Sequence, residues 1–94
     1  MRERDVKAYF LKRVKDLGGE ARKMRWEGRT AAPDWLVLFP RPIFQGGPWL
    51  FFVELKRPKK GAEALQAEEH DILRRFGATV FVLDSPEAID EVLK

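Results

Sequence analysis

Apolar side chains recur every three or four positions near the start of the chain. Between Glu3 and Leu17 this spacing places four of them along one face of a helix and leaves charged residues on the other face. The glycine pair at positions 18 and 19 is typical of a helix end. We therefore expect an amphipathic first helix, whose apolar stripe consists of Val6, Phe10, Val14 and Leu17.

Three segments with strand patterns follow this helix. Glu20–Trp26 alternates weakly between apolar and basic residues, which predicts a short strand near a sheet edge. Trp35–Phe39 and Trp49–Leu55 are apolar runs, and a turn rich in proline and glycine joins them from residue 40 to residue 48. We expect these two apolar runs to form an antiparallel pair of strands.

Helical spacing returns from Ala62 to Phe76, and Gly77 ends it. The apolar stripe predicted for this second helix, and expected to pack on the sheet, consists of Leu65, Ile72, Leu73 and Phe76. Ala78–Leu83 has the pattern of a buried strand, and a short last helix over Pro86–Leu93 is capped by Asp84 or Ser85. The predicted order is αβββαβα. Because a strand reached through a helix tends to lie parallel to a neighbour, we expect an α/β fold with a mixed central sheet flanked by helices.

Length and composition limit the kind of protein further. A chain of 94 residues and 10.9 kDa has room for a single domain over 1–94, with a core small enough that association with a partner would stabilise it. The absence of cysteine excludes disulfides and thiolate metal sites. No apolar run approaches the roughly 18 residues of a membrane span, and the charged N-terminus lacks a signal-peptide pattern. We therefore expect a soluble intracellular protein without a membrane partner.

Charge is distributed unevenly along the chain. The net charge is only +3, but residues 1–60 carry 15 basic and 7 acidic side chains, whereas residues 61–94 carry 3 basic and 8 acidic ones. This distribution predicts one surface that faces a polyanion such as nucleic acid, although a merely bipolar surface would give the same pattern.

Charged residues flank the two apolar strands. Asp34 opens the first, while Glu54 and Lys56 close the second and project from the same face of an extended backbone. Because the start of one antiparallel strand lies beside the end of the next, Asp34 is expected near Glu54. Two carboxylates, with the backbone carbonyl of Leu55, suit Mg²⁺, and Lys56 would orient a water or stabilise the transition state of phosphodiester hydrolysis. The alternative is an exposed salt-bridge cluster.

Four further residues have both a functional and a structural interpretation. Glu3 continues the inward stripe of the first helix and would add a carboxylate, or it simply favours the helix dipole. Gln66 would orient a water, a lysine or a phosphate, or it is solvated. Glu69 lies within the apolar stripe, so either the sheet contact is thin there or the carboxylate has a basic partner. A lone His70 is a poor zinc ligand but would serve as an accessory base or phosphate contact.

Basic residues lie on both sides of the proposed site in the sequence. Their functional interpretation is contact with DNA phosphates, and the alternative is an ordinary solvated run of charge. Their proximity to the carboxylates favours DNA. These residues are Arg22, Lys23, Arg25, Arg29, Lys56, Arg57, Lys59 and Lys60.

The ordered set of motifs resembles the VRR-NUC branch of the PD-(D/E)XK nuclease superfamily, especially its small standalone members in phages and bacteria. The resemblance covers nearly the whole chain. In chain order it consists of Glu3, Gly28-Arg29, Pro33-Asp34, the segment Phe52–Lys56, Gln66 with His70, Gly77, the strand Val80–Val82 and Ser85. One departure is Ala31, which stands where relatives commonly have a glycine and would be strained if that position requires a positive φ.

The resemblance implies a restriction-endonuclease-like core and specific roles. Asp34 and Glu54 correspond to the acidic ligands of Mg²⁺, for which Mn²⁺ would substitute, and Lys56, Gln66 and Glu3 correspond to the family's lysine, glutamine and N-terminal glutamate. The expected activity is endonucleolytic cleavage of branched DNA in the cytoplasm of a bacterium or a phage-infected cell, with four-way junctions cut by a homodimer. A nick, flap or restriction-like nuclease with the same core, or a DNA-binding module without catalysis, remains the alternative.

Aromatic and aliphatic residues around the second apolar strand are candidates for a dimer interface. A C₂ dimer would supply the two symmetric cuts that a four-way junction needs. The alternative is that these side chains only fill the faces of the sheet. The candidates are Ile43, Phe44, Trp49 and Phe51.

Overall fold

A computed structural model describes residues 2–42, 47–56 and 63–93. Three helices and four strands follow one another in the predicted order. They are α1 (Glu3–Asp16), β1 (Glu20–Lys23), β2 (Trp35–Leu38), β3 (Leu50–Leu55), α2 (Ala64–Arg75), β4 (Val80–Leu83) and α3 (Pro86–Val92). The helices in the described part of the chain are all too short or too polar to cross a membrane.

The four strands form one mixed sheet in the order β1-β2-β3-β4. β2 pairs antiparallel with both β1 and β3, whereas β4, which the chain reaches through α2, runs parallel to β3. The register places Trp35 opposite Val53 and Glu54 beside Val82. The predicted α/β fold is therefore confirmed, with β1 at an edge and β2 and β3 antiparallel.

α1 and α3 cover one face of the sheet and enclose the hydrophobic core. The stripe of α1 is buried at Val6, Phe10 and Val14, while Leu17, just beyond the end of the helix, is exposed. Each fully buried side chain of this size stabilises the fold by roughly 1.5 to 3 kcal/mol. Sheet residues that alternate along the strands complete this core: Trp35, Val37, Phe51, Val53, Leu55 and Leu83.

α2 lies on the opposite face of the sheet, and its packing differs from the prediction. Leu65 is 66% exposed and Phe76 is 88% exposed, whereas Ile72 and Leu73 are half-buried, so only part of the expected apolar stripe packs there. The buried residues of α2 are Glu69 and His70. The helix is rotated because the sheet presents a polar group, Glu54, on this face, and polar side chains of α2 turn towards it.

Candidate functional site

Asp34 stands immediately before β2, where the antiparallel register brings it beside the end of β3. Its Oδ2 accepts a hydrogen bond of 2.9 Å from the backbone N–H of Leu55, and its Oδ1 lies 3.7 Å from Nζ of Lys23. Pro33, the preceding residue, is buried and fixes the entry of the chain into the strand. The carboxylate is thus anchored at the edge of a cleft.

Glu54 is a buried carboxylate at the centre of the site, only 1% exposed. Its Oε2 accepts a 3.0 Å hydrogen bond from Nε2 of Gln66 and lies 3.5 Å from Nζ of Lys56. Burial, followed by the negative charge of Asp34, raises the pKa of Glu54 to about 7, against the opposing effect of Lys56. The structure therefore brings together Asp34, Glu54, Lys56 and Gln66, as the sequence pattern predicts.

His70 lies on α2 against the other oxygen of Glu54. Its Nε2 is 3.7 Å from Oε1 of Glu54, too far for a hydrogen bond, and neither buried atom has a hydrogen-bond partner among the residues that the structure describes. Burial, followed by the positive charge of Arg74, lowers the pKa of His70, so the imidazole is predominantly neutral at pH 7.

A cleft of about 290 Å³ opens beside Asp34. Glu3 lines it from α1. The sequence pattern predicts that Glu3 continues the inward stripe of the helix, but in the structure its side chain is exposed. Its other lining residues are Arg4, Lys7, Lys23, Asp34, Trp35 and Leu55. The cleft therefore combines acidic groups with a basic rim.

Two basic residues of this cleft, Arg4 and Lys7, are absent from the set that the sequence pattern singles out. Lys7 from α1 and Lys23 from β1 approach the ring of Trp35, with Nζ at 5.7 and 5.2 Å from the ring centroid. The signal in the sequence is weak, because basic residues beside an apolar stripe are usually solvated. Only the packing of α1 across the sheet brings them to Asp34.

The donor set at the site fits a hard divalent cation. Among residues 2–42, 47–56 and 63–93, no group of three or more His, Cys, Asp and Glu side chains is placed to hold a metal. Asp34 and Glu54 supply two carboxylates, and Oε1 of Glu54 is a buried oxygen that accepts no hydrogen bond from the described part of the chain. Mg²⁺ needs few protein ligands, because it keeps several waters.

Glu69 has the basic partner that the sequence leaves as one of two alternatives. It is buried, and it accepts hydrogen bonds of 2.6 Å from Nη2 of Arg29 and 2.7 Å from Nε1 of Trp26. Both donors belong to the segment between β1 and β2, residues 24–34, which we call the Asp34 loop. Within it Ala31 has φ 68°, so the alanine does occupy a left-handed position that favours glycine.

The structure describes only some of the other basic residues that are candidates for contact with DNA phosphates. Arg25 is exposed, and Arg29 is engaged with Glu69. Arg22 pairs with Glu20 on β1. Arg57, Lys59 and Lys60 lie outside the described residues.

The predicted interface set needs a correction at one position. Phe51 is fully buried in the core, because it alternates with Val53 and Leu55 on the face that α1 covers, so it is unavailable to a partner. Trp49 is 56% exposed. Ile43 and Phe44 lie outside the described residues.

Comparison with known proteins bears on the family of the chain. No protein-family model matches the chain. It is 33% identical over 87 residues to "Putative nuclease p44" of Acyrthosiphon pisum secondary endosymbiont phage 1, a match that covers 93% of this chain and 87% of the relative. It also superposes on a solved VRR_NUC domain with a TM-score of 0.81 and 38% identity, over 95% of this chain and 90% of that structure. On these two matches, the chain belongs to the VRR-NUC family of nucleases.

Proposed function

We propose that this nuclease is a divalent-metal-dependent DNA endonuclease that hydrolyses phosphodiester bonds at the cleft beside Asp34. The observation that carries the proposal is the convergence of Asp34, Glu54 and Lys56 where β2 begins and β3 ends. Carboxylates with a lysine beside them suit a reaction that develops negative charge on a phosphate.

Asp34, Glu54 and the backbone carbonyl of Leu55 would hold the cation, with Mg²⁺ preferred and Mn²⁺ accepted. Such an ion, when bound, stabilises charge on a phosphate oxygen and makes a water more acidic. The raised pKa of Glu54 supports this assignment, since a buried carboxylate close to a second one needs a cation in order to ionise fully near pH 7.

The other polar residues act on these groups. Gln66 donates to Oε2 of Glu54 and fixes the orientation of the carboxylate. Lys56, mostly buried beside Glu54, would orient the attacking water and stabilise the charge that develops on the phosphate. Glu3, at the mouth of the cleft, would accept a hydrogen bond from a water that enters.

The basic rim of the cleft indicates how the DNA backbone would lie. Arg4 and Lys7 on α1 and Lys23 on β1 stand on the cleft that contains Asp34. Cationic side chains on two elements would bind phosphates on either side of the scissile one. By their charge alone, Arg25, Arg57, Lys59 and Lys60 are further candidates for phosphate contact.

We also propose that the protein acts as a homodimer that cuts branched DNA, four-way junctions in particular. Each chain offers one site, and symmetric cutting needs two. Trp49 and Leu50 are exposed where β3 begins, beside a groove that Gly77 also lines. Two exposed large apolar side chains next to each other are suited to burial against a second copy.

The experiment that tests the proposed function compares labelled four-way junction, flap, nicked and linear duplex DNA with Mg²⁺, Mn²⁺ or a chelator. Cleavage of the junction that requires the cation would support the proposal. Preferential cleavage of flaps or linear duplex would assign a different nuclease specificity to the same site. Binding without cleavage under every cation condition would favour a DNA-binding module.

A further inference from the structure

The way in which α2 is attached to the sheet is unusual for an amphipathic helix. Its apolar residues Leu65 and Phe76 are exposed, Ile72 and Leu73 are only half-buried, and its fully buried residues are the polar pair Glu69 and His70. A helix normally holds its position by burying an apolar stripe. The position of α2 therefore depends to a large extent on polar contacts.

These contacts connect α2 to the site on two sides. Gln66 donates to Glu54 on β3, and His70 lies against the same carboxylate. One turn along the same face, Glu69 accepts from Trp26 and Arg29. α2 thus joins the strand that carries Glu54 to the loop that carries Asp34.

The Asp34 loop needs such an attachment. Its ends are tied together by a 2.9 Å hydrogen bond from the backbone N–H of Met24 to the backbone carbonyl of Asp34. Between these ends Ala31 is held at φ 68°, a conformation that costs a non-glycine residue roughly 1 kcal/mol or more. Contacts outside the loop must therefore hold it in this shape.

Trp26 contacts both β3 and Glu69. Its ring packs edge-on against Phe52 of β3, with centroids 6.4 Å apart, while its indole N–H donates to Glu69. Glu69 is buried whereas Arg29 is largely exposed, so the carboxylate is the fixed partner in the ion pair. Neither contact reaches Asp34 itself.

We propose that Glu69 is a positioning residue of the site, which fixes the Asp34 loop against α2 and so sets the separation of Asp34 from Glu54. The inference rests on the proposed metal site at these two carboxylates. If Glu69 is removed, Trp26 and Arg29 lose their acceptor, the loop relaxes at Ala31, and the two carboxylates no longer converge on one cation.

The test measures Mn²⁺ affinity without DNA, by electron paramagnetic resonance, together with amide hydrogen exchange. The variants are Glu69→Ala, Glu69→Gln and the matched control Glu68→Gln, which changes the charge of an exposed neighbour on the same helix. Asp34→Asn serves as the reference for loss of a ligand. Trp26→Phe, which keeps the ring but removes the donor, tests the same contact if Glu69→Ala fails to fold.

We expect Glu69→Ala to weaken Mn²⁺ binding about ten-fold or more and to speed amide exchange in the Asp34 loop while exchange in β3 and β4 stays slow. Glu69→Gln, which retains one acceptor oxygen, should fall between Glu69→Ala and the wild type. Unchanged Mn²⁺ affinity in Glu69→Ala and Trp26→Phe would overturn the inference, as would equal acceleration of exchange throughout the sheet. If instead Asp34→Asn retains full affinity, the proposed metal site is wrong, and loop exchange alone decides whether Glu69 holds the loop.

Discussion

Oε1 of Glu54 and Nε2 of His70 face each other across 3.7 Å, and within residues 2–42, 47–56 and 63–93 both buried atoms lack a hydrogen-bond partner. Burial opposes charge on both groups, since it raises the pKa of Glu54 and lowers that of His70. Unsatisfied buried polar atoms are costly in a folded protein. The facing pair of Glu54 and His70 therefore costs the folded protein stability.

The pH dependence of stability follows from Glu54. Because its folded pKa of about 7 lies above the unfolded value of 4.5, its contribution to stability is full below pH 4.5 and is lost as the pH rises through 7. The metal-free protein should therefore lose up to about 3 kcal/mol from this group between these limits. Chemical denaturation at several pH values in the presence of a chelator measures it.

Glu54→Gln isolates this contribution. The substitution removes the buried charge but keeps an oxygen for Gln66 and Lys56, so the variant should be more stable than the wild type at pH 8. His70 has the opposite effect on the pH dependence, because its lowered pKa gives stability that is lost on acidification. The charges of Asp34 and Lys56 also act on Glu54. The difference between the two proteins is therefore the quantity to follow. A constant difference from pH 5 to pH 8 would contradict a raised pKa for Glu54.

Asp34 and Lys56 should be needed for DNA cleavage but not for DNA binding. Asp34→Ala or Lys56→Ala is expected to reduce the rate of cleavage by at least about 100-fold, because each removes a group that acts on the developing charge. Affinity for junction DNA, measured by fluorescence anisotropy, should survive. Full cleavage activity in either purified variant would refute the assignment of the site.

The fold was predictable from the sequence because its elements have strong local signals. The spacing of Val6, Phe10 and Val14 determines α1, and the apolar runs with their turn determine the β2 and β3 pair. Antiparallel geometry alone predicts that Asp34 lies near Glu54, but it does not predict how far apart the two carboxylates are held.

Other features depend on tertiary packing and have no local signal. The rotation of α2 could not be inferred from its stripe, because the stripe of Leu65 and Phe76 is apolar by composition whereas the partner surface contains Glu54. The contribution of Arg4 and Lys7 requires knowing where α1 crosses the sheet. The burial of Phe51 has no signal in the sequence either, because an apolar strand does not reveal which of its faces α1 covers.

The basic rim of the cleft should appear in the salt dependence of DNA binding. If Arg4 and Lys7 each contact a phosphate, Arg4→Ala and Lys7→Ala should each reduce the slope of log K against log salt by about 1. Lys15→Ala is the matched control, since Lys15 is exposed on the same helix about 12 Å along the axis from Lys7. An equal change of slope for Lys15→Ala would show that only the net charge matters.

The exposed apolar residues where β3 begins should determine the oligomeric state. We expect the wild-type chain to sediment as a dimer and Trp49→Gln to shift it to a monomer, because an aromatic side chain at an interface contributes more than its neighbours. Leu65→Gln is the comparison, since Leu65 is equally apolar and exposed but lies on α2, where it lines a different groove beside Arg29 and Ala31. Sedimentation equilibrium over a range of concentrations separates the cases. Dissociation of the dimer by Leu65→Gln but not by Trp49→Gln would place the interface on α2 instead. A monomeric wild type would rule out the proposed dimer. Two cuts in one junction would then require two independent binding events.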